Sequence, residues 1–144
     1  MLLPVIRRAS QPTNAFEAER ANAANRLVRR PFAPFLNELV MLDLPEVRMF
    51  VNHGHLQAWG VKPEAIFEAA HEVLKDHATD GIRFEERYGL WQLDAPDGSA
   101  ASRLLLEGWL GSFAEEVQGR PIAIVPWNRL LMVGGSEDDA QLAT

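Results

Sequence analysis

A chain of 144 residues with 47% hydrophobic and 24% charged side chains can build one ordinary globular core and is too evenly mixed for a disordered or fibrous polymer. It contains no cysteine, which excludes disulfides, thiolate nucleophiles and cysteine-ligated metal clusters, and no apolar run of the roughly 18 residues a membrane-crossing helix needs. The net charge of −6 is divided unevenly: residues 1–30 set six arginines against Glu17 and Glu19, a net of +4, which leaves −10 on the remainder, so most of the chain would repel phosphate.

In chain order, Leu2–Arg8 predicts a first strand, peripheral in the sheet because Pro4 has no N–H to donate. Residues 9–36 are rich in Asn, Ala and Arg and are broken by Pro12, Pro31 and Pro34. They read as a long basic loop, with helical turns around 15–27, within a single domain spanning 1–144. The run Leu39-Val40-Met41-Leu42, a turn at 43–46 and the stretch 47–51 predict a hairpin. Asn52 is placed to cap a helix through Trp59, Gly60 to end it, and Pro63 to start the next, which runs to His77. In that helix Ile66, Ala69, Ala70, Val73 and His77 form the expected core stripe, with Glu64, Glu68 and Glu72 on a solvated face.

Asp80-Gly81 predicts a turn, 82–85 a short strand and 88–93 a longer one, before a second turn at Asp97-Gly98. A helix capped by Ser99 or Ser102 is then expected up to Val117, with Leu106, Trp109, Leu110 and Phe113 facing the core and Gly108 and Gly111 forming a close-approach face. Gly119 would cap its end. The runs 122–125 and 130–133 predict a final hairpin, and 136–139 the acidic start of a terminal helix. Strand pairs alternating with single helices imply an α+β fold, a largely antiparallel sheet with two main helices packed on one face and a long N-terminal loop.

Chemistry is sparsely signalled. Asp94 and Asp97 flank a turn, and with Ser102 at a helix start and Arg103 beside it they make the candidate catalytic set, able to hold an anion or work as an acid/base pair. Turn aspartates and a capping serine are the simpler explanation, and no nucleophile-elbow motif surrounds Ser102. His53, His55, His71 and His77 lack metal-ligand spacing, and no glycine-rich phosphate loop occurs, so neither a metal nor a cofactor is expected.

Asp97-Gly98 followed by Ala101-Ser102-Arg103-Leu104 resembles the signature of the YtpQ-like family, uncharacterised bacterial proteins grouped under a domain of unknown function. Leu3-Pro4-Val5-Ile6-Arg7 is similar to that family's Tyr-Pro-Val-Ile-Arg. Leu42-Asp43-Leu44, Leu56, Trp59 and Ile124-Val125-Pro126 also match, whereas Asn128-Arg129 stands where the family tends to have a polar residue and Asp. The resemblance implies an α+β fold, no assigned activity, and further chain on both sides, so that this sequence reads as a short or truncated member. The resulting expectation is a non-enzymatic cytoplasmic module that binds a protein partner or itself. The first alternative is a small hydrolase or anion-binding enzyme using Asp97, Ser102 and Arg103. The second is nucleic-acid binding through the Arg-rich 7–30 segment, against which the acidic body weighs.

Overall fold

The computed structural model describes residues 1–8, 22–77, 83–87, 89–95, 98–127 and 129–137. They belong to two compact units, Met1–Asp76 and His77–Thr144. Both contain antiparallel sheet, and helices complete an α+β fold.

In the first unit, β1 (Leu2–Arg8) runs antiparallel to β3 (Leu36–Asp43) along its full length, from Leu2↔Leu42 to Arg8↔Leu36. The other side of β3 is shared by β2 (Arg29–Ala33) and β4 (Arg48–Phe50). Pro4 lies on the edge strand, as its missing N–H requires, yet β1 is not peripheral in burial: Leu3, Pro4, Val5 and Ile6 are all interior.

The predicted long loop is replaced from residue 22 onward by regular structure. Asn22 caps a 3-10 turn, Ala23–Asn25, by accepting from the N–H of Ala24 at 2.9 Å. Arg26 to Val28 is stitched to the end of β4 by bonds from Val28 N–H to Val51 O and from His53 N–H to Arg26 O, each 2.9 Å. Strand β2 follows. Two prolines disguised it in the sequence, but Pro31 is tolerated because β2 is an edge and its register shifts between Pro31 and Ala33. The part of the loop before residue 22 lies outside the described residues.

Asn52 and His55 form a reciprocal cap at the start of α1 (His53–Trp59): Asn52 Oδ1 accepts from His55 N–H at 2.9 Å, and Asn52 N–H donates to His55 Nδ1 at 3.2 Å. Gly60 in the left-handed conformation ends it, and Pro63 opens α2 (Pro63–His77). The buried face of α2 is Ile66, Phe67, Ala70 and Leu74; Ala69 and His77 are exposed. At ~100° per residue the stripe is rotated about 60° from the expected one, because it is centred on the two bulky side chains Phe67 and Leu74. Ile66, Phe67 and Ala70, with Val28, Val40, Val51 and Leu56, make a core cluster of this unit.

In the second unit β5 (Arg83–Arg87), β6 (Leu90–Asp94), β8 (Leu130–Gly135) and β7 (Pro121–Trp127) form one antiparallel sheet in that order, closed by two hairpins. Leu93, Ala95, Ala100 and Leu131 centre its core, and Leu104, Trp109, Ala123 and Val125 pack around them. The helix expected up to residue 117 is instead two 3-10 segments, Ala100–Leu105 and Leu110–Phe113. Leu106 is extended and Gly108 has φ 74°, which breaks the helical path. A Cβ at Gly108 or Gly111 would meet nothing within 4 Å, so no close approach to these glycines is made among the described residues. Ser99 flanks the first segment without making a side-chain cap. The predicted turns at Asp80-Gly81 and at Asp97, and the helix after Glu137, fall outside the described residues.

Candidate functional site

The most concentrated polar chemistry in the first unit lies beneath the β2–β3 hairpin. Along β3 every second residue faces α2, so Glu38 shares a face with Val40 and Leu42. It is a carboxylate in a position suited to an aliphatic side chain, and it is only 2% exposed. Both of its oxygens are engaged. Arg30, directly opposite on β2, donates from Nε to Oε2 at 2.7 Å, and His71 Nε2 of α2 lies 2.7 Å from Oε1. A carboxylate only accepts, so Nε2 carries the proton in this bond and Nδ1 is the second ring nitrogen, an acceptor in the neutral imidazole. The 3.3 Å approach of Arg30 Nη2 to the same Nε2 is then a packing contact between two donors.

One helical turn before His71, Phe67 carries the Arg30 guanidinium 4.3 Å from its ring centroid. That stacking orients the fork towards Glu38 and keeps its aliphatic stem against the core. The network fastens an edge strand to a helix: without it, β2 would be held by β3 alone. Arg30 and His71 remain 45% and 27% exposed, so solvent screens part of the electrostatic gain.

Above this network the hairpin turns through Pro34 and Phe35. Proline fixes its own φ near −65°, and Phe35 follows at φ 64°, the pattern of a type II turn that ordinarily places glycine second. A two-residue turn of that kind splays its strands, and the register shift between Pro31 and Ala33 absorbs the mismatch. Phe35 is 84% exposed and Phe32 also reaches solvent. The hairpin thus presents two aromatic rings to solvent near its turn, and Arg29 and Arg30 are exposed at the other end of β2.

The residues singled out from sequence lie in the second unit. Asp94 is exposed at the end of β6, whereas Ser102 is fully buried and Arg103 is 2% exposed. Arg103 Nη1 donates to the carbonyl and hydroxyl oxygens of Ser99 at 3.4 and 3.3 Å. Asp97 is outside the described residues. Of the three that are described, the sequence neighbours Ser102 and Arg103 share an interior environment and Asp94 does not. Glu38, Arg30 and His71 were missed by sequence reasoning. The available signal was the alternation Glu38, Val40, Leu42, which puts an acid on the apolar face of a strand.

Comparison with protein-family models, with curated proteins and with solved structures gives no match to this chain.

Proposed function

We propose that this chain is a non-enzymatic, cytoplasmic, protein-binding module that docks through the β2–β3 hairpin, with a second copy of itself as the partner to test first. The observation that carries the reading is Phe35: a large aromatic side chain, 84% exposed, in a backbone conformation that disfavours it. Folding gains nothing from such a residue, since it buries little and strains the turn, so its benefit is sought in a contact outside the chain. Buried aromatics anchor interfaces, and the rigid Glu38 network beneath the hairpin would lower the ordering cost of docking. The division of charge favours self-association, because the basic first 30 residues, which end in Arg29 and Arg30 at the start of the hairpin, can approach an acidic surface of another copy. Membership of the YtpQ-like family, carried by Leu3 to Arg7 and Gly98 to Leu104, belongs to the same proposal.

Sedimentation velocity over a wide concentration range tests it. Wild type should self-associate and Phe35→Gly should shift towards monomer by tenfold or more in dissociation constant. A wild type that stays monomeric throughout, or an association untouched by the substitution, contradicts self-docking. Nucleic-acid binding through the Arg-rich 7–30 segment would show itself differently, as an affinity for single strands that falls steeply with salt.

A further inference from the structure

Arg7 stands on the face of β1 opposite to the Glu38 network. Strand alternation puts it with Leu3 and Val5, and its register partner on β3 is Asn37. Arg29, paired with Leu39 two residues further along β3, occupies the same face from the far side. The Arg7 guanidinium lies 5.7 Å from the Phe50 ring centroid, and its Nε is buried with no hydrogen-bond partner. Burial also pushes the guanidinium below its usual pKa by desolvation, and no carboxylate among the described residues opposes the shift. Arg30 and Arg48 differ in this respect, each being bonded to an acid, Glu38 and Asp43.

A guanidinium partly stripped of water needs a counter-charge, and a ring face replaces only part of what water supplied. No carboxylate among the described residues meets it, so an external anion is the counter-charge to test. The residue is only partly buried, which leaves a way in for a ligand. We propose that Arg7 anchors an oxyanion-binding site on the β1–β3 face, taking a carboxylate or phosphate group in its planar fork, with the Asn37 amide as a second donor and Arg29 adding to the positive field. The site lies on the face of the sheet opposite to Glu38, and its anchor Arg7 is outside the hairpin.

Calorimetric titration with inorganic phosphate and, separately, with acetate, at constant ionic strength set by chloride, tests the proposal on wild type, Arg7→Met and Arg7→Lys. Wild type should bind one of the two probes saturably, phosphate pointing to a phosphorylated ligand and acetate to a carboxylate. Arg7→Lys should weaken binding at least tenfold by losing the fork, and Arg7→Met should abolish it. Arg7→Met without ligand should melt no lower than wild type, since it relieves a desolvated charge. Equal binding by wild type and Arg7→Met, or no saturable binding of either probe, overturns the site. An Arg7→Met chain that melts well below wild type or fails to fold also overturns it, by showing that the arginine serves the fold.

Discussion

Glu38 depends on keeping both of its partners, because a buried carboxylate that loses one is left with desolvation it cannot recover. Glu38→Gln keeps the shape and removes the charge, and should cost about 2 kcal/mol in urea unfolding. Arg30→Met should cost less, about 1 kcal/mol, since Arg30 is half in water and a methionine thioether can replace part of the guanidinium's contact with the Phe67 ring. Equal losses for the two would indicate that the pair acts only as a unit. The glycines of the second unit make a contrasting pair. A Cβ on Gly135 would overlap the backbone of Gln118, which cannot yield as a side chain can, so Gly135→Ala should cost about 3 kcal/mol. Gly108→Ala meets open space and is penalised only by its φ of 74°, at about 1 kcal/mol. Thermal unfolding of both variants should reproduce that order.

At the level of elements, the reciprocal cap of α1 is the simplest case to check: Asn52→Ala should lower stability by about 1 kcal/mol. On α2 the exposed pair Glu72 and Lys75 is joined at 2.7 Å. The hydrogen bond from Lys75 lowers the Glu72 carboxyl below its ordinary range, and the bond to Glu72 raises the Lys75 ammonium above its own. The Glu72 share is therefore present above the ordinary carboxylate pKa and lost as pH falls through the lowered one. The Lys75 share is present below the ordinary lysine pKa and lost as pH rises through the raised one. Lys75→Met should flatten this small dependence in a pH series of melting curves, and added salt should do the same.

The elements that were legible in sequence are those written in adjacent residues: the apolar run of β1, the hairpin of β3 and β4, Asn52 and Gly60 bounding α1, and Pro63 opening α2. Strand β2 was hidden because Arg29, Arg30 and Pro31 look like loop, and only pairing with β3 makes a strand of them. The segment after Gly98 misled in the opposite sense. Leu106, Trp109 and Phe113 repeat at a helical spacing, but Gly108 turns the chain between them, so the period is a coincidence of two short 3-10 pieces. The Glu38–His71 contact joins residues 33 apart in sequence, and no local pattern announces such a pairing. From sequence, Arg103 belongs to the candidate catalytic set. Its burial and its bonds to Ser99 give it an interior structural place.

At the level of the whole molecule, the two units are each built around an antiparallel sheet, and no helix among the described residues is long and apolar enough to cross a membrane. The proposed role gathers on the first unit, where Arg7, Arg29 and Arg30 belong to the basic first 30 residues of an otherwise acidic chain. The central claim is that Phe35 is retained for a partner and against the interest of the fold. Equilibrium urea unfolding of Phe35→Gly measures this directly, because glycine adopts φ 64° without strain and removes an exposed ring. Relief of about 1–2 kcal/mol of left-handed strain should outweigh the extra freedom of an unfolded glycine, so the variant should be more stable than wild type by up to about 1 kcal/mol. A variant clearly less stable than wild type would show that Phe35 packs for folding, and would contradict the account.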